Sequence, residues 1–156
     1  MREYRLLSRA LARFERALVS GEPRVAVTRV SSRLAPGRGL GREHGLEYHS
    51  RLWGDLDWVL ELEEAWTPLP LAWRFRFGWL VGVADLVRFV KARPVAVYEV
   101  KSYDTVKRAE RVQAALYGLL VELNFATKPS VRLKTPSGEV EVKDWEALAL
   151  DALRAT

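Results

Sequence analysis

The sequence predicts an α/β domain in which a mixed β-sheet is flanked by helices. Residues 80–90 and 95–103 are two runs rich in valine and other apolar residues. A short break containing Pro94 separates them, a pattern that indicates a β-hairpin. Residues 105–125 carry apolar side chains at steps of three and four, which is typical of an amphipathic helix. Strands followed by such a helix favour a layered α/β arrangement.

The remaining elements are predicted in chain order. We expect a helix at the N-terminus, a strand near residues 24–30, a second helix over residues 41–66, and a strand at 71–77. Residues 131–135 and 139–143 form a predicted hairpin, followed by a short helix from Asp144. Expected loops cover residues 21–23, 35–41, 67–70 and 128–130. Residues 1–66 therefore form a mainly helical lead-in, 71–125 the core, and 131–156 a terminal hairpin and helix of one domain.

Composition narrows the protein class. A chain of 156 residues is long enough for one domain with its own core. It lacks an apolar run of membrane-spanning length and an apolar signal segment at Met1, so we expect a cytoplasmic protein without a membrane partner. It has no cysteine and a net charge of +5, and this basic excess is compatible with an anionic partner such as nucleic acid.

Three charged side chains are expected to meet on the predicted hairpin. Because side chains alternate along a strand, Glu99 and Lys101 share one face of the second strand with Val95 and Val97. The same rule predicts one face of the first strand that holds Val81, Val83, Asp85, Val87 and Phe89. Carboxylates among valines are costly unless they are paired or bind a metal, and oxygen ligands suit Mg²⁺ or Mn²⁺. A structural ion-pair cluster is the alternative.

Two other acidic segments compete with this candidate. Glu141 and Lys143 repeat the Glu-x-Lys spacing, but we expect them on a solvated strand with no acidic partner upstream. A rival metal site, or more commonly a solvated helix face, is formed by Asp55, Asp57, Glu61, Glu63 and Glu64.

The helix over residues 105–125 adds a polar pair. Thr105 is a plausible N-cap. Gln113 and Tyr117 are four residues apart and so lie on one face. Taken alone, they would be a solvated glutamine and an aromatic side chain at the edge of the core.

The order of these residues resembles a known family. Asp85 follows Gly82 by three residues, Glu99 and Lys101 form an acid-x-Lys segment, and Gln113 and Tyr117 form Gln-x-x-x-Tyr. This series is similar to the RecB-type branch of the PD-(D/E)XK nucleases. Residues 45–49 also match the upstream Gly-x-x-x-His of that branch. The resemblance covers roughly residues 45–117 and implies a restriction-endonuclease-like core.

The resemblance implies roles for the matched residues. Asp85 and Glu99 would ligate Mg²⁺ or Mn²⁺ together with the backbone carbonyl of Val100. Lys101 would position the attacking water. His49 would complete the metal shell.

Two further implications concern substrate and cofactor. Gln113 and Tyr117 would contact the nucleic-acid strand near the scissile phosphate. His44 is the competitor of His49 for the histidine position. Many relatives hold an iron–sulfur cluster through four cysteines, and a chain without cysteine excludes that cluster.

Basic side chains extend the predicted nucleic-acid surface. One face of the first helix carries Arg2, Arg5, Arg9, Arg13 and Arg16. Such a stripe can follow phosphates, although a solvated face and an anionic membrane surface are alternatives. Arg33 and Arg38 add positive charge in a loop. Trp66 and Trp73 are candidates for stacking on bases.

The function expected from the sequence is metal-dependent hydrolysis of DNA phosphodiester bonds, exonuclease-like on single strands or ends. The alternatives are a non-catalytic nucleic-acid-binding subunit and a junction-resolving endonuclease. Expected partners are DNA, a second copy of the chain, or a helicase, DNA-repair or CRISPR protein.

Overall fold

The structure is a computed structural model that describes residues 2–32 and 56–156. The helices in these ranges are α1 Arg2–Val19, α2 Val27–Ser32, α3 Trp58–Glu61, α4 Arg108–Phe125 and α5 Trp145–Arg154. The strands are β1 Arg24–Ala26, β2 Glu64–Phe75, β3 Gly78–Val90, β4 Arg93–Val100, β5 Ser130–Thr135 and β6 Gly138–Glu141.

The strands form one mixed six-stranded sheet built around β3. Strand β2 pairs with β3 antiparallel along most of its length, β4 pairs antiparallel with its second half, and β1 pairs parallel with its first residues. Strand β5 is parallel to β4, and β6 returns antiparallel to β5. The predicted α/β class, with a mixed sheet flanked by helices, is therefore confirmed.

Helix α4 is the central helix of the core. It contacts β2, β4 and β5 of the sheet and also α1, α2 and α5. Leu116 and Leu120 are fully buried, and burial extends from Glu110 near its start to Phe125 at its end. A helix covered on so many sides leaves little solvated surface, so polar side chains such as Glu110, Gln113 and Asn124 are buried against other parts of the protein.

Helix α1 contributes to two apolar clusters. Its apolar side chains recur at steps of three and four, so they lie on one stripe. Leu7 and Ala10 pack in the main core, while Phe14 and Ala17 pack in a second cluster. That second cluster also contains Ala72, Trp79 and Val81.

A β-bulge corrects the predicted alternation of β3. The pairing with β2 shifts register between Thr67 and Leu69, so Asp85 and Leu86 stand opposite the single residue Pro68. Because a bulge adds one residue to one strand, it reverses the alternation beyond that point. The prediction of a single face is therefore wrong for Val81, Val83, Asp85, Val87 and Phe89.

The packing agrees with the bulge. Leu80 and Ala84 before it share the main core with Val87 and Phe89 after it, whereas Val81 lies in the second cluster. A second register shift lies between Arg88 and Phe89, where β3 pairs with β4. It leaves Val95 exposed, so the predicted face of β4 keeps Val97, Glu99 and Lys101 but loses Val95.

Several predicted boundaries also differ. Residues 67–70, predicted as a loop, lie within β2, whose free edge tolerates Pro68 and Pro70 because no strand of the described chain pairs with that edge. Of the predicted helix 41–66, the described residues contain α3 and the start of β2 instead. The predicted strand near residues 24–30 ends at Ala26, where α2 begins. Helix α4 has Lys107 at its N-cap rather than Thr105.

The C-terminal prediction is confirmed. β5 and β6 form the hairpin, and α5 follows with Asp144 at its N-cap.

Over residues 2–32 and 56–156, no helix has the length and apolar character needed to cross a membrane.

Candidate functional site

Asp85 links β3 to β4 by a hydrogen bond just beyond the point where the two strands stop pairing. The last paired residues of β3 and β4 on this side are Leu86 and Tyr98. Just beyond them, Asp85 Oδ2 accepts a hydrogen bond of 2.9 Å from the backbone N–H of Val100. The side chain is exposed, so one carboxylate oxygen holds the end of β4 while the group stays open to solvent.

Glu99 is buried at the end of β4. Only 2% of its surface is exposed, and its side chain faces α4. Gln113 on that helix donates a hydrogen bond of 3.1 Å from Nε2 to Glu99 Oε1. A buried carboxylate is costly unless such bonds compensate for lost water. The amide of Gln113 therefore supports Glu99 and fixes the orientation of its carboxylate.

Lys101 lies between two carboxylates. Its Nζ is 3.9 Å from Glu99 Oε1 and 3.6 Å from Glu110 Oε2. Its backbone N–H donates to the carbonyl of Lys134 on β5 at 2.8 Å. The lysine side chain is 13% exposed, so its ammonium is held inside the cluster rather than extended into solvent.

Glu110 is a member of the site that the sequence analysis missed. It lies in the first turn of α4, and its Oε1 accepts the backbone N–H of Lys107 at 3.3 Å. An acidic residue three positions after an N-cap is a known capping signal. That signal predicts a helix start, but it does not predict that the second oxygen of Glu110 contacts Lys101.

Tyr117 packs against the strand that carries Asp85. A Cβ atom placed on Gly82 would lie 2.7 Å from both Cε1 and the hydroxyl oxygen of Tyr117. Only glycine therefore lets the ring approach the backbone here. Tyr117 is 3% exposed, so its ring lies inside the core against Gly82, which precedes Asp85 by three residues on β3.

The cluster carries more negative than positive charge. Two carboxylates, Glu99 and Glu110, lie within 3.9 Å of the single ammonium of Lys101, and a third, Asp85, bonds to the neighbouring backbone N–H of Val100. Carboxylate oxygens and the backbone carbonyl of Val100 are hard ligands, which fit Mg²⁺ or Mn²⁺. Within the described ranges, no group of three or more histidine, cysteine or acidic side chains is arranged to hold a metal. His49 and His44 lie outside the described residues.

The arginine stripe lies away from this cluster. The guanidinium of Arg13 stacks 4.5 Å from the ring centre of Trp73 and donates a hydrogen bond to Asn124. Asn124 is near the end of α4, about 16 Å along the helix from Gln113. Burial and the neighbouring Arg16 and Arg9 lower the pKa of Arg13. Arg13 is therefore a packing residue in this structure.

The other predicted arginines divide into two groups. Arg9 and Arg16 are exposed on α1. Arg33 and Arg38 lie outside the described residues.

The rival acidic segment is exposed and ion-paired. Glu63 lies 3.9 Å from Lys91, and Glu64 lies 3.0 Å from Arg88. Hydrogen bonds from Arg88 and from Trp66 lower the pKa of Glu64. Its described part has the character of a solvated face, and Asp55 lies outside the described residues.

Comparisons with known proteins do not assign the chain to a family. No family model and no curated protein matches the chain. A solved structure described as the crystal structure of SSO0001 is similar over 100% of this chain and 87% of its own length, at 20% identity and a TM-score of 0.37. A likeness at this TM-score carries no argument about function.

Proposed function

We propose that the chain is a metal-dependent deoxyribonuclease that hydrolyses phosphodiester bonds. The observation that carries the proposal lies where β3 and β4 separate: the largely buried Glu99 and Lys101 are 3.9 Å apart, and Asp85 accepts a hydrogen bond from the backbone N–H of Val100 between them. The resemblance to RecB-type PD-(D/E)XK nucleases supports it, because Glu99, Lys101 and Gln113 are residues that the resemblance marks and they contact one another through Glu99.

Each residue has a task in this proposal. Asp85, Glu99 and the carbonyl of Val100 would hold a divalent ion, which would supply Lewis-acid activation of the phosphate and of the attacking water. Gln113 holds the Glu99 carboxylate in one orientation. The ammonium of Lys101 stabilises the negative charge that develops on the phosphate, an effect that is strong where water is excluded.

Tyr117 has a supporting task. Its ring is buried against Gly82, so it positions the strand carrying Asp85 and does not touch the nucleic acid. This differs from the strand contact that the resemblance implies. DNA contacts would instead come from exposed basic side chains such as Arg9 and Arg16.

The proposed substrate is DNA, with single strands or ends favoured, in the cytoplasm. A second copy of the chain or a helicase, DNA-repair or CRISPR protein would deliver that substrate. These assignments extend the nuclease proposal and are tested after it.

End-labelled single- and double-stranded DNA, incubated with Mg²⁺, Mn²⁺ or EDTA, tests the function. We expect metal-dependent cutting by the wild type, and its loss in Asp85→Ala, Glu99→Gln and Lys101→Ala. Glu141→Gln and Lys143→Ala are matched controls, because they change an exposed Glu-x-Lys segment. Cutting that survives in Glu99→Gln would refute the site.

A non-catalytic DNA-binding subunit is the second candidate. One observation favours it: Lys101 already has two carboxylate partners, so the cluster can be a closed ion-pair network without a metal. DNA binding with no cleavage in any metal, and no stabilisation of the fold by metal, would select this candidate.

A further inference from the structure

We propose that Glu110 is a positioning residue for Lys101. Glu110 keeps the ammonium of Lys101 inside the site when Glu99 ligates a divalent ion. The inference about the reaction rests on the proposed nuclease function. The contact itself does not, because it is a property of the folded chain.

Lys101 needs a negatively charged partner to stay inside the site. A lysine side chain loses rotamer entropy when it is held in one conformation, and an attractive contact must offset that loss. Glu110 Oε2 is the nearer of its two carboxylate oxygens, at 3.6 Å against 3.9 Å for Glu99 Oε1. Glu99 Oε1 also accepts the hydrogen bond from Gln113, so it interacts with an amide donor as well as with the ammonium of Lys101.

Glu110 is held independently of Lys101. Its Oε1 bonds to the N–H of Lys107 in the first turn of α4, and the residue is buried. Glu110 and Gln113 are three residues apart and so lie on one face of the helix. The start of α4 thus presents a carboxylate to the ammonium of Lys101 and a hydrogen-bond donor to Glu99.

This division of contacts determines which carboxylate holds Lys101 when a divalent cation binds Glu99. If Glu99 ligates a divalent ion, its charge is neutralised and the ion repels the ammonium of Lys101. Glu110 is then the remaining carboxylate that holds Lys101 near the reacting phosphate. Without it, the lysine would extend into solvent.

The variant Glu110→Gln separates this task from helix capping. Its amide oxygen still accepts the N–H of Lys107, but the charge opposite Lys101 is gone. Glu146→Gln is the matched control, because Glu146 also lies in the first turn of a helix and pairs with a lysine, Lys128, at 3.2 Å on the exposed surface.

Two readouts are needed. In Mg²⁺, brief acylation of amines followed by mass spectrometry measures the accessibility of Lys101 relative to exposed Lys143. We expect Lys101 labelling to rise severalfold in Glu110→Gln and to stay unchanged in Glu146→Gln. Steady-state cleavage should show kcat lower by about tenfold with KM unchanged, the size typical of residues that support a metal site.

The outcomes distinguish the two proposals. Unchanged Lys101 labelling in Glu110→Gln overturns the positioning role. Increased labelling with unchanged kcat removes Glu110 from the reaction. Increased labelling in Glu110→Gln, together with a wild type that cuts no DNA, keeps the contact and rejects the nuclease proposal. If Glu110→Gln does not fold, Glu110→Asp takes its place, since it keeps the charge but withdraws it by one methylene, and unchanged labelling and kcat there would also overturn the role.

Discussion

The chain contains the segment Glu-Val-Lys twice, and the two copies have opposite surroundings. Glu99 is 2% exposed and Lys101 is held between carboxylates. In the second copy, Glu141 and Lys143 are both exposed, and only the intervening Val142 is buried. The side chains are identical, so neither composition nor spacing creates the difference.

The neighbouring elements create it. Strand β4 lies between β3 and β5, and the side of it that carries Glu99 faces α4. Strand β6 is the outermost strand of the described sheet. The first copy is a candidate site because α4 covers Glu99 and because Asp85 on β3 bonds to the backbone of Val100. The second copy has no such neighbours among the described contacts.

Loss of the lysine should show the largest difference in effect between the two copies. Lys101→Ala leaves the carboxylates of Glu99 and Glu110 without their shared ammonium, so we expect a loss of about 3 kcal/mol in the free energy of unfolding. Lys143→Ala should cost less than about 0.5 kcal/mol, as is usual for exposed positions. Urea unfolding without metal measures both. Equal losses would contradict the difference in burial.

The proposed metal binding should also distinguish the two copies. A ligand that binds only the folded state at 100 times its dissociation constant stabilises it by about 2.7 kcal/mol. We expect Mn²⁺ to raise the melting temperature of the wild type and of Glu141→Gln. Glu99→Gln should lose this increase, because it lacks a carboxylate ligand. An equal increase in all three would place the metal elsewhere.

The surroundings of the first copy can also be disturbed without touching it. Gly82→Ala would push a methyl group into the ring of Tyr117, so we expect a loss of about 2 kcal/mol, typical of overpacking. Gly21→Ala is the control, because no atom lies within 4 Å of its added Cβ. Combining Gly82→Ala with Tyr117→Ala should destabilise less than the sum of the single changes. Additive losses would argue against the contact.

The smallest change in stability that we predict concerns a hydrogen bond between the loop after the first Glu-Val-Lys copy and the turn before the second. Asp104, in the loop after Lys101, accepts the backbone N–H of Ser137 at 3.0 Å, in the turn before Glu141. Hydrogen bonds from Ser137 lower the pKa of Asp104 below its usual 3.8. Since the folded-state pKa is depressed, the stabilisation is present above about pH 4 and is lost as the pH falls through the folded-state value.

Asp104→Asn tests this link. Its melting temperature should be slightly below that of the wild type at pH 7, and the difference should disappear in acid. A difference that persists at pH 2 would assign the effect to something other than the ionised carboxylate.

The sequence predicted the central elements well for a local reason. The valine-rich runs and the apolar periodicity of α4 are repeated over many residues, so the hairpin and the helix were predicted within a few residues of their ends. The position of Asp85 was predicted less well. Its face depends on a bulge opposite Pro68, and that bulge arises from pairing with a strand whose register the local pattern of β3 does not contain.

The burial of Gln113 and Tyr117 on α4 also could not be predicted from the local sequence pattern. Gln113 and Tyr117 lie at the margin of the apolar stripe, which predicts partial exposure. Both are buried because other elements cover the helix and because Gly82 admits the Tyr117 ring. The contact of Glu110 with Lys101 joins the start of a helix to the end of a strand, and no spacing rule connects those positions.

By itself, the sequence determined the order of strands and helix over residues 78–125, and the order of acid, lysine and amide along them, because these follow from short-range periodicity and turn residues. The tertiary structure decided which Glu-x-Lys copy is enclosed, how Asp85 reaches the backbone of Val100, and that Glu110 belongs to the cluster. Enclosure depends on strand register and helix packing between residues far apart in the chain, and identical tripeptides therefore meet different environments.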